Sequence, residues 1–283
     1  MIEHHDISAN GLTFSTRAAG PSNGRPVMLL HGFPQTSWCW SAQLEALGDA
    51  GYRAVAPDQR GYSLMARPTD VGAYRSEHLV ADVVAMADAL EWATFDLVGH
   101  DWGAMVGWLT TARHANRIRS FTSVSTPHPL ALRLSQFAQD AEETEPHSGT
   151  EGFLVFGVAE AKLLGPDGTA LGLRKLLSAT GLRPEAVEVY VEAMRAHGAM
   201  TAALNWYRAM SGDEVAKLPP ITTPTLYVWS TGDAALGRTA AEATAVYVSG
   251  SYTYVELEGV SHWIPETLPD RLSDPLSAHL AKH

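Results

Sequence analysis

A chain of 283 residues suits one large domain or two small ones, and 46% hydrophobic residues is ample material for a buried core. The formal net charge of −11, from 31 acids against 20 bases, argues against a nucleic-acid partner, which needs a basic face. A single cysteine, Cys39, excludes an internal disulfide and fits a reducing compartment. Met1-Ile2-Glu3-His4-His5-Asp6 has no signal-peptide pattern, and no apolar run approaches the roughly 20 residues that span a bilayer, so no membrane association is expected and the expected address is cytoplasmic.

Residues 1–128 alternate strand and helix signals. The apolar run Val27-Met28-Leu29-Leu30 predicts a strand that leads into His31-Gly32-Phe33-Pro34. Ala54-Val55-Ala56-Pro57 predicts a short strand ending at a turn, in which Asp58 reads as a structural residue. Residues 77–92 predict an amphipathic helix with Leu79, Val83, Met86 and Leu90 on one face. Phe95-Asp96-Leu97-Val98 is the next strand, followed by Gly99-His100-Asp101-Trp102-Gly103 and a helix over 104–115. Small residues flank position 101 at a spacing of two on each side. That is the strand-turn-helix pattern of a nucleophile elbow, whose usual form is G-x-S-x-G. A carboxylate in the nucleophile slot attacks an alkyl carbon and forms an alkyl ester, where serine attacks an acyl carbon. The plain alternative is that Asp101 caps the helix behind it.

A further strand is expected near 119–125, but Ser123-Val124-Ser125-Thr126 offers no carboxylate. Over 129–217 the strand signals stop, and helices are expected at 130–139, 172–179, 185–197 and 200–210. Asp140-Ala141-Glu142-Glu143-Thr144-Glu145 reads as a solvated turn. This predicts a helical cap inserted between two parts of one α/β core, residues 1–128 and 218–283, with Leu218-Pro219-Pro220 marking the return. The β-rich run 224–230 ends in Thr231-Gly232-Asp233, which presents an acid at a strand's C-terminal edge. The strand 252–257 runs into Gly259-Val260-Ser261-His262-Trp263, and the final helix is expected to carry Leu268, Leu272, Leu276 and Leu280. Nucleophile, acid and histidine therefore occur in a fixed chain order at parallel strand ends, where ligand sites form in open α/β sheets. The matching oxyanion donors are the backbone N–H groups of Phe33 and Trp102.

Together, His31-Gly32-Phe33-Pro34, Gly99-His100-Asp101-Trp102-Gly103, Gly232-Asp233 and Gly259-Val260-Ser261-His262-Trp263 resemble the α/β-hydrolase fold, and within it the epoxide hydrolase branch with an aspartate nucleophile. Asn205-Trp206-Tyr207-Arg208 is similar to that branch's cap motif, whose tyrosine binds the epoxide oxygen. The resemblance implies Asp101 as nucleophile, Asp233 and His262 as the acid and base, Tyr207 as proton donor, a small apolar epoxide and water as substrates, and no cofactor or metal. It places Phe33, Trp102 and Tyr207 against the substrate. The chain departs from the branch in one respect. The branch usually carries two cap tyrosines; aligning Gly157-Val158-Ala159-Glu160-Ala161 puts the first near Gly149, and no tyrosine lies between Trp108 and Val189. His147 is the nearby candidate to replace it.

Two other functions fit parts of the pattern. A haloalkane dehalogenase shares the ester chemistry, but many carry asparagine where Phe33 stands. Haloacetate dehalogenases place arginines soon after the nucleophile, whereas here Arg113 is the first. A hydrolase-fold binding protein with little turnover is the reading outside enzymes. Structural roles are expected for His100, His128 and His197.

Overall fold

The computed structural model describes residues 1–141, 151–211 and 215–283. An eight-stranded sheet forms its centre, in the order β1-β2-β4-β3-β5-β6-β7-β8. The strands are β1 Glu3–Ala9, β2 Leu12–Ala19, β3 Arg25–Leu30, β4 Tyr52–Pro57, β5 Phe95–His100, β6 Ile118–Val124, β7 Thr225–Ser230 and β8 Tyr252–Leu257. β1 and β2 pair antiparallel, as do β2 and β4; every pairing from β4 to β8 is parallel. This is the α/β-hydrolase architecture expected.

Burial explains the composition of the strands. β5 lies in the middle of the sheet and is buried along its whole length, so it reads as a continuous run rather than an alternation. Even the carboxylate of Asp96 is buried there, satisfied by Arg25 Nε at 2.6 Å and the Ser120 hydroxyl at 2.7 Å. The β1–β2 hairpin, which is not among the strands predicted above, turns at Asn10 and Gly11, both in the left-handed region.

Helices cover the sheet: α1 Ser41–Asp49, α2 Ser76–Ala89 and α3 Trp102–Arg113. α2 buries Leu79, Val80, Val83, Met86 and Ala87 along one stripe. α3 begins two residues earlier than its apolar pattern suggests, because the elbow turns straight into it. The C-terminal helix, Pro269–Lys282, buries Leu272, Leu276 and Leu280. Leu268 is not part of it and is 38% exposed. Pro269 opens the helix, and a residue before proline is pushed to extended backbone; Leu268 has φ −139°.

Between β6 and β7 the described residues form helices: α4 Pro129–Ala141, α5 Val158–Leu164, α6 Leu171–Ala179, α7 Pro184–Arg195 and α8 Ala199–Ala209. Asp140 and Ala141 end α4 instead of forming a turn; the rest of that acidic stretch lies outside the described residues. α7 opens with proline at its first position and buries Ala186, Val187, Tyr190, Val191 and Met194, a helical stripe. Trp206 of α8 donates its indole N–H to Arg60 O at 2.9 Å, and Tyr190 of α7 donates to Glu266 Oε1 at 2.5 Å. These bonds tie the helical layer to the loops at the strand ends.

Candidate active site

The site is assembled from four loops at the C-terminal ends of the parallel strands. Register alignment brings those ends side by side: Leu30 of β3 opposes Gly99 of β5, and Ser230 of β7 opposes Leu257 of β8.

Asp101 sits at the tip between β5 and α3 with φ 53° and ψ −121°, a conformation non-glycine residues rarely adopt. The turn is held by its neighbours. A Cβ on Gly103 would collide with the Leu30 carbonyl, and one on Gly99 with the Gly103 carbonyl. Gly32 gives the third clearance, since a Cβ there would overlap the Asp101 carboxylate itself. The Thr126 hydroxyl donates to Asp101 O at 2.8 Å and anchors the strained backbone. The helix-cap alternative does not hold, because the Asp101 side chain makes no cap hydrogen bond.

The carboxylate instead faces the other loops. Phe33 N–H donates to its Oδ1 at 2.7 Å, and His262 Nε2 lies 3.5 Å from its Oδ2. On the far side of the imidazole, Nδ1 is 2.8 Å from Asp233 Oδ2. Asp233 keeps its other oxygen on the N–H groups of Ala235 and Leu236, at 2.8 and 3.0 Å, so its turn role and its contact with His262 coexist. Trp102 is the first residue of α3, and its N–H is among the donors a helix start leaves without an intrahelical acceptor.

Electrostatics follow from this sandwich. Burial alone would lower the pKa of His262, but the Asp233 carboxylate and then the bond to Asp101 outweigh it and lift it to about 10. Burial likewise pushes Asp101 up, and the His262 contact more than reverses that, holding it below the ordinary carboxylate range. Both shifts favour an imidazolium beside a carboxylate.

Tyr207 of α8 faces the same space from above. Its ring lies 4.8 Å from Trp102, 5.5 Å from Phe33 and 5.1 Å from Phe153, all near perpendicular. Burial, then the Asp101 charge, raises its phenol well above the ordinary value, so at neutral pH it is a protonated donor. Asp101, His262, Tyr207, Phe33 and Phe153 line one cavity of about 580 Å³, within the range of small-molecule sites. His147 and Gly149 lie outside the described residues.

One part of the site gives His100 the structural place expected of it, but joins it to Gln35 and Glu266, to which the sequence reading gave no role. His100, buried, places one ring nitrogen 2.9 Å from His262 O and the other 2.8 Å from Gln35 Oε1. That amide oxygen also accepts the Gly32 N–H at 3.1 Å, and the amide nitrogen donates to Glu266 Oε1 at 2.7 Å. Burial, with the nearby His262 charge, lowers His100 to about 3 and keeps it neutral; burial raises Glu266 to about 7. This chain of side chains fixes the backbone of both the His262 loop and the Phe33 loop. Its faint signal is an acid, Glu266, in the otherwise apolar run after His262. His128 is also buried, stacked on Tyr247 at 4.7 Å outside the cavity lining.

Comparison with known proteins agrees with this geometry. The sequence model for the alpha/beta hydrolase fold matches residues 25–268. The chain is 32% identical to the AB hydrolase superfamily protein YfhM of Bacillus subtilis, over 93% of this chain and 92% of that one. It is 30% identical to epoxide hydrolase A of Mycobacterium tuberculosis, covering 95% and 94%. The crystal structure of epoxide hydrolase A from Mycobacterium thermoresistibile superposes with a TM-score of 0.87 at 26% identity, covering 99% of this chain and 98% of that one. The chain belongs to the alpha/beta hydrolase fold family, in its epoxide hydrolase branch. No helix among the described residues is long and apolar enough to cross a membrane.

Proposed function

We propose that this protein opens small apolar epoxides to vicinal diols through an ester on Asp101. The observation that carries the proposal is the position of that carboxylate, between the Phe33 N–H and His262, beneath a protonated Tyr207. Names of the relatives point to the same substrates. Residues 129–217 act as the cap and residues 1–128 and 218–283 as the core. The unpaired Cys39 favours a cytoplasmic setting.

Because Phe33 holds Oδ1, the freer Oδ2 is the nucleophile. It attacks an epoxide carbon, the carbon–oxygen bond breaks, and Tyr207 stabilises the leaving oxygen by donating its phenol hydrogen bond. Esterification removes the charge on Asp101, one of the two carboxylates that hold the imidazolium. His262 then gives up its proton, which ends on the opened oxygen by way of the phenol. Neutral His262, oriented by Asp233, takes a proton from water as that water attacks the ester carbonyl. The Phe33 and Trp102 N–H groups hold the resulting oxyanion; one such donor is typically worth about 3 kcal/mol. Collapse releases the diol as His262 gives its proton to the leaving alkoxide, and the proton of the Asp101 carboxylic acid that remains passes to His262, restoring the starting pair.

An assay of ring opening across several epoxides, beside halide-release and esterase assays, tests the proposal. Diol formation as the dominant activity supports it. Halide release as the dominant activity would favour the dehalogenase reading, and ligand binding without turnover would favour a binding protein.

A further inference from the structure

Gln35 closes the loop that carries the oxyanion donor. Its backbone N–H donates to Gly32 O at 3.0 Å, and its side-chain oxygen accepts the Gly32 N–H at 3.1 Å. Gly32 is thus pinned on both sides, and the peptide that follows it supplies the Phe33 N–H to Asp101.

A primary amide has two unlike edges, and a half turn about its terminal bond exchanges them. With its oxygen toward Gly32, the Gln35 amide turns its nitrogen to Glu266 and donates to Oε1 at 2.7 Å. His100 pulls the other way. Its ring nitrogens stand 2.8 Å from Gln35 Oε1 and 2.9 Å from His262 O, both acceptors, yet a neutral imidazole has one N–H to give. The turned amide would suit it, offering an N–H to the bare ring nitrogen while the other nitrogen donates to His262 O. That turn would strand the Gly32 N–H and set the amide oxygen against a carboxylate. An ionised carboxylate only accepts, so Glu266 admits only the NH2 edge of Gln35. Gln35 is fully buried, so bulk solvent takes no part in the choice. Tyr190 steadies the carboxylate by donating to the same Oε1. Glu266 Oε2 is buried with no hydrogen-bond partner among the described residues, so a carboxylate here costs the fold free energy.

We infer that Glu266 is a positioning residue for ester hydrolysis: by admitting one orientation of the Gln35 amide, it holds Gly32, and with it the Phe33 N–H, in place for the oxyanion. The inference rests on the proposed reaction and gives a residue outside the cavity lining a part in one of its two steps. Alkylation discharges Asp101, so the Phe33 N–H has less charge to hold as that step proceeds. Hydrolysis builds charge on the same oxygen, so a displaced donor is felt there.

Glu266→Gln keeps the size of the side chain but is both donor and acceptor, so it admits either orientation of Gln35. Single-turnover kinetics with styrene oxide separate alkylation from hydrolysis, at about pH 8.5, where wild-type Glu266, raised to about 7, is ionised. Alkylation should stay within about threefold of the wild type, and hydrolysis should fall by roughly ten- to a hundredfold, less than the full loss of an oxyanion donor. The exchange Gln35→Glu/Glu266→Gln restores a pure acceptor at Gly32 with a donor opposite it, and should recover hydrolysis. Tyr190→Phe removes the other donor on Glu266 without affecting the choice of edge, so it should lower Tm and leave hydrolysis within about threefold. Thermal melts confirm that each variant folds. Hydrogen exchange at the Gly32 amide, followed by NMR, reads the same orientation without turnover: faster in Glu266→Gln, restored in the exchange, unchanged in Tyr190→Phe. Unchanged hydrolysis in Glu266→Gln would overturn the inference. So would a loss that the exchange does not recover, or an equal loss in Tyr190→Phe, since either would mark a merely structural role. Gly32 exchange that follows the variants as stated, in a protein that forms no ester, would keep the pairing of Glu266 with Gln35 and overturn the reaction.

Discussion

The backbone N–H of Phe33 already holds Oδ1 of Asp101, at 2.7 Å, before any substrate is present. In the proposed reaction that carboxylate oxygen occupies the position in which the oxyanion forms. That contact distinguishes the two carboxylate oxygens, and the proposal assigns the attack to Oδ2, beside His262.

Replacing His262 with glutamine should trap the ester. Ring opening needs the carboxylate, but hydrolysis needs a base that glutamine cannot supply. Intact-protein mass spectrometry after epoxide addition should show the mass of the substrate added, located at Asp101. Unmodified protein, with an epoxide the wild type does turn over, would count against covalent catalysis.

Tyr207→Phe should slow alkylation by roughly a hundred- to ten-thousandfold, the usual span for a positioned acid, and slow ester hydrolysis less. The other aromatic rings against Tyr207 in the cavity lining, Phe33 and Phe153, have no hydroxyl to share the task. Transient kinetics separate the two steps; an unchanged alkylation rate would remove Tyr207 from the mechanism. If appreciable ring opening survives, His147→Ala in that background tests the remaining candidate donor.

Stability should depend on pH through His262. Its folded-state pKa of about 10 lies above the ordinary 6.5, chiefly because Asp233 and Asp101 outweigh burial. A raised pKa contributes stability that is fully present below the unfolded value and lost as pH climbs through the folded one. Thermal unfolding of the free enzyme should therefore show a falling Tm between about pH 6.5 and 10. Asp233→Asn should flatten that fall, and a Tm profile indifferent to Asp233 would contradict the assignment.

Gly103→Ala tests the elbow itself. The added methyl would overlap the Leu30 carbonyl, which belongs to the neighbouring strand and cannot move aside as a side chain would. The expected cost is about 3 kcal/mol, the upper range for overpacking, with loss of activity as Asp101 shifts. A variant with wild-type Tm and turnover would show that the turn is not under this constraint.

Much of this site could be read from the sequence because Phe33, Asp101, Asp233 and His262 each follow closely on a strand. Asp101, Asp233 and His262 each lie within a few residues of an apolar run, and chain order fixes which edge they share. Other features depend on contacts between distant residues. Gln35, His100 and Glu266 meet only after β3, β5 and the loop behind β8 are brought together, so no local spacing announces them. Helix α5 is seven residues long, too short for its periodicity to stand out. The β1–β2 hairpin did carry a signal, Asn10-Gly11, but its outer strand is largely exposed and lacks a clear apolar face. Leu268 fails as a helix residue for a local reason, the proline that follows it.

The central claim is that Asp101, and not water, attacks the epoxide. A single turnover in heavy-oxygen water, with enzyme in excess, tests it most directly. The oxygen delivered to the diol should come from the carboxylate, and solvent oxygen should refill Asp101 when the ester is cleaved at its carbonyl. The account predicts a labelled Asp101 and a largely unlabelled diol in the first turnover, with label reaching the diol in later ones. A fully labelled diol with Asp101 unlabelled would mean that water opens the ring directly, and would contradict it.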